Sequence, residues 1–263
     1  MKKILAPFLK WAGSKRHPYI VEKVRPIWEQ NQHRLWIEPF LGSGGLPLAL
    51  GIKQGIFSDI NADLINTWQW VQTNGKITDL PANTEVSYLV ARDTLNNPDT
   101  QPSTKAKLFY YLNQTCFNGL CRYSKRSGFN VPFGRNKKGQ PKHINYVTDF
   151  SDWRLAISGW LIQCQDYKQA IKQAPTNGFI YSDPPYSGAF TNYYGNFDIG
   201  NQLELVELLA NYKGVVIASN SPEMECHYAN AGFITELIEA PRSISCNGNS
   251  RGKQLELFAV KGL

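Results

Sequence analysis

Short apolar runs along this chain alternate with amphipathic stretches and polar turns. Runs rich in β-branched and aromatic residues predict strands over 34–40, 55–58, 161–164, 178–182, 214–220, 233–239 and 254–260. Helical spacing of the apolar positions is expected over 19–30, 46–50, 167–173 and 201–212. Strands that alternate with helices predict an α/β fold, a sheet with helices on both faces. From about Ala62 to Asp149 the pattern changes to helical stretches joined by polar loops, and Ser127-Gly128 marks a hairpin or extended loop. The expected organisation is one domain built from 1–61 and 150–263, with 62–149 inserted as a second, mainly helical domain containing a β-hairpin.

With 263 residues, 42% of them hydrophobic, the chain has enough material for a substantial core. Its amino terminus begins like a signal peptide, but Lys10, Lys15 and Arg16 interrupt the apolar stretch, and no segment is apolar enough to span a membrane. Five cysteines without a CxxC pair fit reduced thiols, so a cytoplasmic location is expected. The four histidines have neither zinc-ligand spacing nor the pattern of a nucleophilic triad, so no metal is predicted.

Charge is unevenly placed. No acidic residue lies between Asp99 and Asp149, whereas Lys105, Lys107, Arg122, Lys125, Arg126, Arg135, Lys137, Lys138 and Lys142 are basic. The excess positive charge of the chain therefore sits in the inserted segment, interleaved with aromatic residues and glycines. Such a stretch is either a solvated face or a nucleic-acid surface that touches both phosphates and bases.

Two loops carry candidate chemistry. After the first predicted strand comes Glu38-Pro39-Phe40-Leu41-Gly42-Ser43-Gly44, a glycine loop opening a helix, and the next strand ends on Asp59. Glycines there let a ligand approach the backbone, and an acid at the second strand's end suits ribose hydroxyls, which implies a nucleoside cofactor. The loop has no GxxxxGK[ST] and no complete GxGxxG. The strand over 178–182 stops at Asp183-Pro184-Pro185-Tyr186. By itself this tetrapeptide is a strand-ending turn or a rigid pocket for a flat amine, with Asp183 and the Pro184 carbonyl as acceptors and Tyr186 as a stacking face.

These blocks in this order, led by Phe8-Leu9-Lys10-Trp11-Ala12-Gly13-Ser14-Lys15, make the chain similar to the DNA N6-adenine methyltransferases of the Dam type over nearly its whole length. The most specific stretches are the amino-terminal block and the run from Asn113 to Arg122, followed by Phe129 to Arg135, which resembles the target-recognition hairpin of that type. Arg242-Ser243-Ile244-Ser245-Cys246-Asn247-Gly248 is also similar. The sequence departs from the pattern at Gln114, where an arginine is expected, and at Asn136, where an aromatic is expected.

The resemblance implies a Rossmann-like methyltransferase sheet, S-adenosylmethionine as methyl donor, double-stranded DNA as partner and GATC as target; a monomer is the default expectation. It implies that Trp11, Lys15, Asp59 and Asp183 bind the donor, with Phe40, Gly42, Ser43 and Gly44 beneath it. Asp183, Pro184, Pro185 and Tyr186 would then receive a flipped-out adenine. Lys10, Phe117, Asn118, Leu120, Arg122, Pro132, Arg135 and Lys137 would contact DNA, Arg122 reading a guanine and Leu120 and Pro132 a thymine methyl. Cytosine-N4 methylation, RNA adenine methylation and a catalytically silent DNA-binding scaffold are the alternatives. Serine is more usual than Asp183 in N4-cytosine enzymes, a long insert suits duplex DNA, and intact loops argue against a silent scaffold.

Overall fold

The computed structural model of the chain describes residues 5–124, 126–186, 197–241 and 253–263. The Arg242 to Gly248 run, with Cys246, lies outside the described residues. The strands are β1 (Trp36–Glu38), β2 (Gln54–Asp59), β3 (Tyr123–Ser124), β4 (Gly128–Phe129), β5 (Gly159–Cys164), β6 (Phe179–Ser182), β7 (Val215–Asn220), β8 (Ile234–Pro241) and β9 (Lys253–Lys261). The helices are α1 (Pro18–Glu29), α2 (Gly45–Leu50), α3 (Ala62–Thr73), α4 (Glu85–Asn96), α5 (Pro102–Thr115), α6 (Ser151–Ala156), α7 (Tyr167–Lys172), α8 (Ile199–Asn211) and α9 (Glu225–Asn230). None of the helices among the described residues is long and apolar enough to cross a membrane. Cys116, Cys121, Cys164 and Cys226 are free thiols.

Seven strands form one sheet in the order β5-β2-β1-β6-β7-β9-β8. The pairs from β5 to β7 are parallel, and β9 runs antiparallel to both of its neighbours. This mainly parallel sheet is the Rossmann-like methyltransferase arrangement. Central strands β6 and β7 are buried at every position, as strands covered on both faces must be. Alternate residues serve opposite faces: Trp36, Phe179 and Tyr181 enter one core, Ile37 and Ile180 the other. Trp36 stacks on Phe179 with ring centroids 5.1 Å apart, which packs β1 tightly on β6.

Helix α3 begins at the cap Asn61, whose Oδ1 accepts from the Leu64 N–H at 3.0 Å. It lies on the sheet edge, where Gln69 donates to the Ile162 carbonyl and Gln72 to those of Ile157 and Trp160. Its other side packs on α5. Beyond it the backbone closes a neck: Ile77 N–H bonds to Thr148 O at 2.9 Å and Phe150 N–H to Gly75 O at 2.6 Å.

Past the neck, α4 and α5 hold the short β3–β4 hairpin. Asn96 clamps Phe129 through both its carbonyl and its N–H, and the Tyr88 hydroxyl donates to Val131 O. The following chain returns along the end of α5, with Gly134 N–H on Thr115 O. A Cβ at Gly134 would lie 2.5 Å from the Cys116 carbonyl oxygen, so only glycine allows this approach. Two six-residue helices, α6 and α9, escape sequence reading, whereas α2 and α7, equally short, do not. Helix α8 starts at Ile199 rather than near Asn201, because Asp198 and Asn201 form a reciprocal capping box.

Candidate active site

Strand β1 has β2 on one side and β6 on the other, so the loops leaving β1 and β6 part at a switch point on the carboxyl edge. The first loop is the glycine loop. Leu41 N–H bonds to Ser58 O, and Gly42 (φ 49°) presents its N–H to Asp59 Oδ2 at 3.0 Å. The Gly42 carbonyl accepts from the Trp68 indole at 3.0 Å, and a Cβ at Gly42 would lie 2.7 Å from Nε1 of Trp11. Trp11 therefore closes directly onto the loop. Ser43 is buried and donates to Ser14 Oγ at 2.9 Å, Gly44 caps α2, and Phe40 stacks on Tyr167. Asp59 also accepts from the Asn61 N–H at 3.0 Å. Burial lifts its carboxyl to about 6, and these N–H groups restrain the rise.

The second loop brings Asp183 to the same edge. Lys15 reaches across from the amino-terminal block, its Nζ 3.1 Å from Asp183 Oδ1 and 3.1 Å from Glu256 Oε1. The same ammonium donates to the Tyr186 hydroxyl at 2.8 Å and sits 4.8 Å from the centre of that ring. Burial raises the Asp183 carboxyl to about 6, with Lys15 opposing the shift and Glu256 adding to it. The ammonium's own pKa is raised, because the two carboxylates outweigh its burial.

Pro184 and Pro185 end β6, and the second is anchored: Gln202 Nε2 donates to the Pro185 carbonyl at 2.8 Å, and Gln202 Oε1 accepts from Asn220 Nδ2 at 2.8 Å. Both amides are fully buried. Glu38 accepts from the Trp36 indole at 3.0 Å, and burial raises its carboxyl well above the ordinary range. Sequence reasoning missed Gln202, Asn220 and Glu256. A glutamate inside the apolar stretch Leu255-Glu256-Leu257-Phe258 is the signal that could have revealed the last.

The candidate DNA residues gather around the hairpin. Phe117 N–H bonds to Pro132 O at 2.8 Å, and the Phe117 ring is 42% exposed. Asn118 adopts a left-handed conformation (φ 54°), Leu120 packs on the core, and the Lys10 side chain lies against Gly119 with its ammonium on Gln114 O at 2.7 Å. Arg122 is exposed and oriented by Asn130, which accepts from its Nε at 2.7 Å and from a terminal nitrogen at 3.1 Å. Arg135 is instead occupied, bonded to Glu85 Oε2 at 2.5 Å and to the Gly139 carbonyl, and Lys137 is exposed in the turn that follows. The two regions are joined through the amino-terminal block, where Lys10 N–H and C=O bond to the Asn113 side chain at 2.8 Å each, and beside Asp59. Asn61, next but one to Asp59, lies 3.7 Å from the Cys121 sulfur, and the Tyr123 hydroxyl donates to Asp63 at 2.7 Å.

Known proteins share this layout along the chain. Residues 11–246 match the family model of the D12 class N6 adenine-specific DNA methyltransferases. The chain is 34% identical over 283 residues to a DNA adenine methylase of Serratia marcescens, covering 99% of both chains. It is 33% identical over 277 residues to that of Haemophilus influenzae strain Rd, covering 97% of this chain and 93% of the relative. With the Escherichia coli K12 DNA adenine methylase it shares 32% over 279 residues, 99% of this chain and 96% of the relative. The match runs through both switch-point loops and the basic insert alike, so the chain belongs to the D12 class of N6-adenine-specific DNA methyltransferases, enzymes that methylate adenine in DNA.

Proposed function

We propose that the methyl donor is S-adenosylmethionine and that the acceptor is an adenine flipped out of duplex DNA, within GATC. The observation that carries this reading is the convergence of Asp59 and Asp183 on the two sides of the switch point, each with its carboxyl raised to about 6 by burial. The donor fits these residues. Each oxygen of Asp59 takes one backbone N–H and retains capacity for a ribose hydroxyl, while Trp11 closed on Gly42 supplies an aromatic wall. Lys15 and the loop from Phe40 to Gly44, including Ser43, complete that side. When bound, S-adenosylmethionine supplies an electrophilic methyl group on a positively charged sulfur.

The chain's own residues prepare the acceptor. Adenine N6 is a weak nucleophile because its lone pair is delocalised into the ring. Hydrogen bonds from the amino group to Asp183 and to the Pro184 carbonyl localise that pair, and the Gln202 bond to Pro185 O keeps the loop in place. Positive charge grows on N6 during attack, so a fixed carboxylate and carbonyl stabilise the transition state more than the ground state. Lys15 holds Tyr186 by its hydroxyl, which leaves the ring face for the base.

Adenine inside a duplex cannot reach Asp183, hence the flip. Exposed Phe117 fills the space left behind. Arg122, held by Asn130, reads a guanine with two parallel bonds, Leu120 and Pro132 meet a thymine methyl, and Lys137, Arg135 and Asn118 serve phosphates or neighbouring bases. Lys10 acts from below, supporting the hairpin through the Gln114 carbonyl. In this reading residues 1–61 and 150–263 carry the chemistry and 62–149 the recognition, with Lys10 reaching into the second part and Trp68 into the first. The test is incubation with labelled S-adenosylmethionine and duplexes that do or do not contain GATC, followed by identification of the modified base. Label on N6 of adenine in GATC duplexes is expected; label on cytosine, on RNA alone, or nowhere defeats the reading.

A further inference from the structure

Glu256 is a charged residue in an apolar strand, and its side chain is only 8% exposed. Removing a carboxylate from water costs several kcal/mol unless a partner offsets it. The partner is Lys15, which Glu256 shares with Asp183 at equal distances of 3.1 Å. Topology makes this possible. Because β9 alone in the sheet runs antiparallel to β7, its first residues arrive at the edge where β6 ends, and Leu257 pairs with Asn220 at the end of β7. Tyr186 joins the same cluster through its hydroxyl, which accepts from the shared ammonium at 2.8 Å.

Other ionisable groups face this cluster: Tyr19 from α1, Glu38 from β1, Tyr181 from β6, Tyr186 from the loop and Tyr228 from α9. Burial raises each of them, so the tyrosines are neutral and Glu38 is held towards its protonated form. Lys15 and Glu256 therefore set the charge around Asp183 among the described residues. A single ammonium divided between two carboxylates leaves one negative charge unbalanced.

We infer that Glu256 is a positioning residue for methyl transfer: by sharing Lys15 it fixes the ammonium on one oxygen of Asp183 and leaves net negative charge for the cation that develops at adenine N6. This rests on the reading of Asp183 as acceptor of the adenine amino group. Glu256→Gln keeps the shape and removes the charge. On unmethylated genomic DNA, kcat is expected to fall about tenfold or more, with KM for DNA changed less than about twofold. The acid limb of the kcat profile moves to lower pH, because Asp183 loses the negative neighbour that raises its carboxyl. Glu256→Asp keeps the charge but draws it back by one methylene, so its acid limb stays with the parent's while kcat falls about threefold or more.

A purely structural role would lower the melting temperature and leave the acid limb unmoved. That result, or a kcat within about twofold of the parent in Glu256→Gln, overturns the inference. If Glu256→Gln does not fold, Glu256→Asp decides alone, and an unchanged kcat overturns it. Asp183→Ala run in parallel keeps the two claims apart. Activity surviving there defeats the reading of Asp183, whereas its loss alongside a parent-like Glu256→Gln defeats only the role of Glu256.

Discussion

At the carboxyl edge of the sheet, charged groups are buried and answer one another across long stretches of chain, Lys15 meeting Asp183 and Glu256. On the hairpin they are exposed and mostly held from nearby: Arg122 by Asn130, Arg135 by the Gly139 carbonyl as well as by Glu85. A charge withdrawn from water interacts strongly with its neighbours and is little screened, so losing one member disturbs all the others. Exposed charges are individually weak and yield to salt. The edge is thus suited to all-or-none chemistry and the hairpin to graded selectivity.

Asp183→Ala strains this contrast hardest. Methyl transfer falls by about 1,000-fold or more while duplex affinity, measured by fluorescence anisotropy at fixed salt, stays within about twofold. Lost binding would dissolve the separation of the two regions.

Arg122→Ala and Lys137→Ala sharpen it from the other side. The first narrows discrimination at one guanine by about 10- to 100-fold; the second weakens every sequence by a few-fold and lowers the salt slope by about one. Equal loss on all sequences for Arg122 would mark it as a phosphate contact.

The pH response belongs to the buried region. On the proposed roles of Asp59 and Asp183 their carboxylate forms are the active ones, so kcat/KM is expected to fall about tenfold per pH unit or more steeply below about 6. For stability the sign is reversed. A carboxyl raised from 3.8 to about 6 contributes stability that is fully present below 3.8 and lost as pH rises through 6. The melting-temperature gap between the parent and Asp183→Ala should therefore move in the parent's favour as pH drops from 7 to 5, and an opposite trend would contradict the assigned shift.

Much of this architecture is legible in the sequence. The buried strands ending at Asp59 and Asp183 are marked by composition and by what stops them, a glycine loop's partner acid in one case and two prolines in the other. What stays hidden depends on pairing between distant segments. Glu256 reaches the site only because β9 is antiparallel, and the Gln202–Asn220 relay only because α8 packs beside β7. Arg135 reads as one more cation of an acid-free stretch, yet Glu85, well outside that stretch, holds it. Local periodicity carries no information about such partners.

The neck formed by residues 75–77 and 148–150 has a consequence for how enzymes of this build diverge. A segment closed at its base places both ends at fixed positions, and doubling the length of chain between fixed ends costs only about 0.6 kcal/mol in closure entropy. Parts of the segment away from the end of α5, which bonds Phe8 and Lys10, can be lengthened, trimmed or exchanged without shifting the register of any strand that ends at the catalytic edge. A lineage with this plan can rewrite its address while inheriting its chemistry unchanged.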